Sequence, residues 1–408
     1  MVDYPLETVV EGKTKILVPD VEAFRKSPSS YPPSDAPVFY NKVMELNRDF
    51  ALATLRVYID LLSKKESLFY CEPMAGSGIR AVRIANELEN ISVVINDRNP
   101  HAVELIKENV KQLKLTEKTS VHMDDACELM IRHAASGNRF DVIDVDPFGS
   151  PSVFMDSAAQ ALGYNGFLAV TSTDMATMCG VYPKACIRKY ASKPIHSSIG
   201  HEVAVRMLIG FIATNLARHG KGTKPIFAHS TEHYIRAYVV AEKGITKAKE
   251  SMNTLGYIAH CLKCYAIESR KGLINSLTKE CPDCQNKHRL LGGPVWLGDL
   301  YDEQFVNKLK SEVEDNKTNY GSQKKMGKML VLIEEEVKAQ QTNAGICFFD
   351  LHQISDKLNI PSPKVEAVME ELAKGGYSAT RTHFRTNSIK TDAPIDKIVS
   401  AMKKVLNI

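Results

Sequence analysis

Residues 69–80 read "FYCEPMAGSGIR": Phe69 to Glu72, then Pro73, Met74 and Ala75, then Gly76-Ser77-Gly78 and Ile79-Arg80. The apolar run 68–72 has the length of a buried strand, and it passes through the two glycines into a helical pattern over 78–89. Glycines at such a turn let the backbone approach a ligand at the carboxyl end of the strand. The third glycine of the dinucleotide fingerprint and the lysine of a phosphate loop are both missing, which speaks against ATP. The same alternation continues downstream. Strands are expected at 92–96, 120–123, 140–145 and 167–171, with helices at 101–113, 126–135 and 153–162. A helix over 198–218 and two strands without a helix between them, 226–230 and 234–241, close the series. The pattern predicts an α/β fold: an open, doubly wound, mostly parallel Rossmann-like sheet of seven strands, its last pair antiparallel.

The 408 residues suffice for two or three domains. Residues 1–36 read as short extended pieces around Pro28, Pro32 and Pro33, and 38–62 as an amphipathic helix. A break near Gly244 divides the chain into a sheet domain with its N-terminal extension, 1–244, and a C-terminal domain, 245–408. Within the latter, about 257–290 carries paired cysteines. A Lys-rich hinge at 316–328 leads to about 328–408, where helix, turn, helix and a basic hairpin suggest a winged-helix-like module. No apolar run is long enough for a membrane span, and the first 16 residues do not read as a signal peptide. A cytoplasmic protein with no membrane contact and no obligate protein partner is expected. A net charge of +4 permits nucleic acid as a partner without demanding it.

The strand tips carry the chemistry. The second strand ends in Asp97, about 20 residues past the glycines, where an acid accepts hydrogen bonds from a ribose diol or caps the next helix. The third ends in Asp124-Asp125-Ala126, where such sheets hold an adenine amino group; Asp125 fits by spacing, with capping again the alternative. NAD and S-adenosylmethionine suit these features equally. The fourth strand separates them: residues 141–151, "DVIDVDPFGSP", put Asp146, Pro147 and Phe148 at the tip of an apolar strand. Methylating an amine conjugated to a ring is hard, because the nitrogen lone pair is delocalised. Two acceptors aligned on the N–H bonds favour a pyramidal nitrogen and free the lone pair for in-line attack on a methyl sulfonium. The Asp146 carboxylate and a backbone carbonyl fixed by the locked φ of Pro147 are such acceptors, and Phe148 can stack on the base. Burial at the strand tip is expected to tune the Asp146 pKa.

Asp146-Pro147-Phe148-Gly149 resembles the Asn/Asp-Pro-Pro-Tyr/Phe element of S-adenosylmethionine-dependent amino-methyltransferases. The full pattern resembles the tRNA guanine-26 N2-dimethyltransferase family. "EGKTKI", "FYNKVMELNRD", "EPMAGSGIR", "DVIDVDPFGSP", "TSTDMATMCG", "CLKC…CPDC", "GGPVWLG" and "RTHFRTNSIKTDAP" follow in that order almost end to end. Asn41-Lys42 departs from it, standing where Asn-Pro is expected. The resemblance implies that 1–244 is the methyltransferase domain and that S-adenosyl-L-methionine is the cofactor. It implies a cofactor site of Arg48, Glu72, Gly76, Gly78, Arg80, Asp97, Asp125 and Ala126, and dimethylation of a tRNA guanine. A guanidinium on an apolar-faced helix needs a polar partner, and the cofactor's methionine carboxylate suits Arg48 and Arg80; a solvated helix surface is the alternative. Asp174, past the fifth strand, either reads the guanine edge or caps the next segment.

Cys261, Cys264, Cys281 and Cys284 are spaced Cys-x2-Cys-x16-Cys-x2-Cys, the pattern of a closed structural Zn2+ site, with free thiols or an iron–sulfur cluster as alternatives. His260 and His288 beside them read as surface residues. The other five cysteines read as small buried hydrophobes. In the tail, Arg381, His383, Phe384, Arg385 and Lys390 interleave positive charge with an aromatic ring. On a hairpin they form an RNA grip or a merely solvated face, and the resemblance favours tRNA contact. Two other functions remain open: an amino-methyltransferase for DNA adenine or rRNA guanine, and a non-catalytic zinc and winged-helix nucleic-acid-binding protein.

Overall fold

The computed structural model describes residues 2–408 apart from 28, 30, 63–66, 232 and 343, so Pro28 of the expected N-terminal segment lies outside the described residues. Its central sheet has seven strands: β1 (Leu68–Glu72), β2 (Ile91–Asn96), β3 (Thr119–His122), β4 (Phe140–Val145), β5 (Leu162–Ser172), β6 (Lys221–Ser230) and β7 (Ile235–Lys243). Their order is β3-β2-β1-β4-β5-β7-β6. The first five run parallel, and β7 pairs antiparallel with both β5 and β6. Helices cover both faces, so β4 buries Val142, Ile143 and Val145 alike and reads as a continuous apolar run. The chain moves outward from β1 to β3, then returns to the far side of β1 with β4. That reversal opens a crevice above the carboxyl ends of β1 and β4, which pair through Tyr70–Val142 and Cys71–Ile143. The glycine turn after β1 and the Asp146 turn after β4 therefore flank one crevice.

Ahead of the sheet, Leu6–Glu11 and Thr14–Pro19 form an antiparallel hairpin, followed by the helix Glu45–Leu62. Beyond the sheet, Leu255–His260 is the central strand of a three-stranded sheet, with Ile267–Lys271 and Leu290–Trp296 at its sides. The tail packs the helices Leu351–Leu358, Val365–Lys374 and Ile395–Val405 on a small sheet of Phe349–Asp350, Ser388–Thr391 and Ala379–Arg381. This is the expected helix–helix–hairpin order with one further helix at its end.

The Lys-rich hinge differs from expectation. A single helix, Gln323–Gln341, begins inside it. Met326, Leu330, Ile333 and Val337 form one buried stripe that extends through the hinge. Gly327 faces open space, so it costs the helix only its propensity, about 1 kcal/mol. The hydrophobic core likewise runs on past residue 244: Ile258, Val295, Phe305 and Leu330 belong to the same cluster as the sheet. A second, small core holds Leu351, Val368, Ile389 and Met402 of the tail module. No described helix is long and apolar enough to cross a membrane.

Candidate active site

A cavity of about 950 Å³ opens at the crevice. Arg48, Glu72, Gly76, Arg80, Asp97, Asp125 and Ala126 line it, as do Asp146, Pro147 and Phe148. Gly78 stands just behind the wall. At its φ of +76° a Cβ would meet Ile106 Cγ1 at 2.6 Å, so only glycine lets the helix Pro100–Gln112 approach the turn.

Asp97 holds the glycine turn. Its Oδ2 accepts from the Gly76 N–H at 2.7 Å and its Oδ1 from the Asn99 N–H at 2.9 Å. The cap of the following helix is Asn99, whose Oδ1 accepts from the His101 N–H at 3.0 Å, so the capping alternative for Asp97 does not apply. Asp125 does cap: its Oδ1 accepts from the N–H groups of Cys127 (2.9 Å) and Glu128 (3.2 Å). Its other oxygen has no protein partner among the described residues.

The two arginines are already paired within the protein. Arg48 donates through Nε and Nη2 to Glu11 at 2.8 and 2.5 Å, and to the Asn41 carbonyl at 3.2 Å. Asn41 in turn caps its own turn, accepting from the Val43 N–H at 2.9 Å, so lysine at 42 leaves the loop intact. Arg80 donates through Nη1 to Glu72 (3.0 Å) and Asp144 (3.2 Å), and through Nη2 to Asn47 (2.7 Å) and to Asp146 Oδ2. Its Nε is buried without a partner. Behind it, Arg236 donates to Asp144 Oδ2 (2.5 Å), Thr171 Oγ1 (2.5 Å) and the Tyr238 hydroxyl (2.8 Å).

Three carboxylates, Glu72, Asp144 and Asp146, thus face two guanidiniums. Burial opposes ionisation of Asp146, but Arg80 and Arg236, with a hydrogen bond from the Thr171 hydroxyl, outweigh it and hold the pKa below the ordinary aspartate range. The surplus negative charge is removed at Glu72, where burial and the neighbouring Asp144 and Asp146 outweigh Arg80 and push the pKa up to about 8. Asp146 is therefore a fixed anion aimed into the cavity.

The turn that carries it is pinned. The Gly149 N–H donates to Thr173 Oγ1 at 2.7 Å, and the Thr173 N–H donates to the Gly149 carbonyl at 3.0 Å. The Pro147 carbonyl accepts no hydrogen bond among the described residues. Phe148 is 72% exposed and meets the Phe39 ring edge to face at 4.4 Å, which gives the cavity mouth two aromatic walls. Sequence reasoning singled out neither Phe39 nor Arg236. A lone arginine inside the apolar run of β7 was the one available signal for the second. Asp174 stands at the N-cap position of Met175–Met178 but makes no side-chain capping bond and does not line the cavity: its carboxylate pairs with Lys189 at 2.5 Å.

The basic hairpin is a correction. Lys390 and the His383 side chain are buried against Glu202 and Glu336, and Phe384 is 9% exposed and stacks on Phe348. Arg381 and Arg385 are half-exposed, but pair with Glu335 and Asp350. Lys390, Phe384 and the His383 side chain therefore do not form the exposed grip expected of them, whereas Arg381 and Arg385 stay at the surface, each in an ion pair. His260 is also not on the surface: it is buried, with Nδ1 2.9 Å from Ser197 Oγ.

The four paired cysteines converge, with their sulfurs all within 4.8 Å of one another. Cys261–Cys284 and Cys264–Cys281 are each 3.6 Å apart. A tetrahedral site with zinc–sulfur bonds of about 2.3 Å needs sulfurs roughly 3.8 Å apart, so the set fits that ion.

A family model described as N2,N2-dimethylguanosine tRNA methyltransferase matches residues 12–403. A tRNA (guanine(26)-N(2))-dimethyltransferase from Methanobrevibacter smithii is 39% identical over 406 residues, which cover 99% of this chain and 98% of that protein. One from Methanosarcina mazei is 39% identical over 396 residues, covering 96% and 97%. The solved structure of Trm1 from Pyrococcus horikoshii with S-adenosyl-L-methionine superposes with a TM-score of 0.82 at 33% identity, over 97% of this chain and 100% of that one.

Proposed function

Because the chain belongs to the N2,N2-dimethylguanosine tRNA methyltransferase family, we propose that it transfers first one and then a second methyl group from S-adenosyl-L-methionine to N2 of guanine 26 in tRNA. The observation that carries the residue roles is Asp146, an anion held by Arg80 in a cavity whose opposite wall is the Gly76–Asp97 turn.

The cofactor, when bound, would supply an electrophilic methyl carbon, whose bond to sulfur breaks as the bond to nitrogen forms, leaving the neutral thioether S-adenosyl-L-homocysteine. Gly76 and Asp97 take its ribose side, and Asp125 and Ala126 take its adenine. Arg48, Arg80 and Glu72 form the polar floor beneath its amino-acid end. The guanine lies against Phe148 and Phe39, with its exocyclic amine directed to the Asp146 carboxylate and the unoccupied Pro147 carbonyl oxygen. Both accept N–H hydrogen bonds, which pyramidalises the nitrogen and turns its lone pair toward the methyl carbon. The alkylated nitrogen is strongly acidic and gives its proton to Asp146, which passes it to solvent. A single methyl leaves one N–H, so the same two acceptors serve the second transfer with one contact fewer.

A guanine paired within the tRNA body has to leave its stack to reach this cavity. Residues 1–244 carry the chemistry. Residues 245–408 hold a structural zinc on Cys261, Cys264, Cys281 and Cys284 and support the tRNA body through the tail module. A thiolate site of this kind is kept in a reducing compartment such as the cytoplasm.

The test is an unmodified tRNA transcript incubated with labelled cofactor, followed by mapping of the modified base. Dimethylguanosine at position 26 is expected. Asp146→Ala should abolish incorporation while cofactor binding persists, and methylation at the normal rate by that variant would remove Asp146 from the mechanism.

A further inference from the structure

Residues 175–201 contain no Asp or Glu, and the segment carries Lys184, Arg188, Lys189 and Lys193. Its helix, Pro183–Tyr190, has two unlike faces. Cys186 and Tyr190 are buried, whereas Lys184, Ile187 and Arg188, at i, i+3 and i+4, are exposed. Tyr182, just before the helix, is 60% exposed. Lysine 189, on the inner side, is neutralised by Asp174. Lys184, Arg188 and Lys193 make no ion pair among the described residues.

The helix is fastened to the catalytic turn. The Tyr190 hydroxyl lies 3.2 Å from Ser172 Oγ, and Lys189 reaches Asp174 at 2.5 Å. Between those two anchors stands Thr173, which lines the cavity and holds Gly149 of the Asp146 turn. The helix is thus anchored beside the cavity wall through its inner side, and its outward face is cationic, with no acid in its own segment to offset it.

We propose that Tyr182, Lys184, Ile187, Arg188 and Lys193 form the surface that grips the tRNA strand on which the target guanine lies. This rests on the functional reading above. A strand that inserts one base into the cavity must run its phosphates over the rim, where three unpaired cations meet them. The Tyr182 ring, backed by Ile187, offers a stacking platform for a neighbouring unstacked base. The basic hairpin of the tail, by contrast, has its charges paired with Glu202, Glu335, Glu336 and Asp350.

The experiment compares wild type with Lys184→Glu/Arg188→Glu, the milder Lys184→Gln/Arg188→Gln, and Tyr182→Ala. The readouts are tRNA affinity by filter binding, kcat/KM on the transcript, cofactor affinity and melting temperature. The reversed pair should lose more than about ten-fold in tRNA affinity and in kcat/KM, and its salt dependence should flatten by roughly 1.4 on a log–log plot for two lost single-strand phosphate contacts. The neutral pair should fall between it and wild type, and Tyr182→Ala should weaken tRNA binding roughly five-fold or more. Cofactor affinity and melting temperature should not move. Unchanged tRNA affinity in the reversed and neutral pairs overturns the proposal and leaves the surface to an acidic protein partner. A fall in tRNA affinity that tracks lost cofactor affinity or melting temperature also overturns it, because the residues then act through the fold. Failure of wild type to modify position 26 would instead refute the functional reading, and filter binding would still decide the surface.

Discussion

Arg80 touches Glu72, Asp144, Asn47 and Asp146 with two nitrogens, so the anion proposed to act on the amine is set by a group that also lines the same cavity. The charge count around it makes Glu72 the proton holder. Its pKa rises from an ordinary 4.5 to about 8, so folding takes up a proton between those values. The stability Glu72 contributes is complete below the unfolded value and is lost as pH rises through about 8. Melting temperature should therefore fall between pH 5 and 8.5 more steeply for wild type than for Glu72→Gln, which cannot lose that proton. Parallel curves from scanning calorimetry would assign the proton elsewhere. At this scale the sequence was legible where a residue sits at a strand tip, as Asp97 and Asp146 do, since tip position alone aims a side chain into the crevice. It was not legible for Arg48: the carboxylate that claims its guanidinium, Glu11, comes from a hairpin 37 residues upstream, and no local pattern announces that meeting.

Among the elements, the cysteine turns show why a short-range signal survives translation into structure. Each is a self-contained turn of the same design. The Tyr265 N–H returns to the Cys261 carbonyl at 2.7 Å and the Gln285 N–H to the Cys281 carbonyl at 3.0 Å, with both closing residues at positive φ. Spacing within a turn fixes where its two thiols point, so the pattern could be read without knowing the rest of the fold. The hinge helix failed for the opposite reason: its start at Gln323 depends on the core that receives Met326, which is a tertiary fact. The cysteine segment leaves Leu273 54% and Ile274 88% exposed, so the zinc proposed for its four thiols would serve as its clamp in place of apolar burial. Elemental analysis should find one zinc per chain, and a strong chelator or Cys281→Ser should lower the melting temperature and expose 261–284 to protease. Metal-free protein of undiminished melting temperature would show that the four thiols need no ion.

Across the whole molecule, the tail module is locked onto the methyltransferase body by buried charge. Glu202, on the helix Gly200–Arg218, receives Lys390 Nζ at 2.6 Å, Arg206 Nε at 2.9 Å and the Cys347 N–H at 3.0 Å. Glu336 receives the His383 N–H at 2.8 Å and His383 Nδ1 at 2.6 Å. Burial opposes ionisation of Glu202, but Lys390 and Arg206 prevail and lower its pKa to about 2. A depressed carboxylate stabilises above its unfolded pKa and loses that contribution only as pH falls toward 2, so the lock stays charged throughout the neutral range. The hairpin's cations were visible in the sequence, but the carboxylates facing them lie as far as 188 positions away, and charge without its partner reads as surface. The same arrangement makes Lys390 expensive to remove. Lys390→Met leaves Glu202 and Glu336 to share a buried space with one cation fewer, and should cost about 3–5 kcal/mol in urea unfolding. Pairing it with Glu202→Gln removes the surplus negative charge and should recover much of that loss, because the penalty lies in that surplus rather than in the missing contact. If the double variant is as unstable as the sum of the two single ones, the two groups act independently and the module is held by its apolar contacts instead.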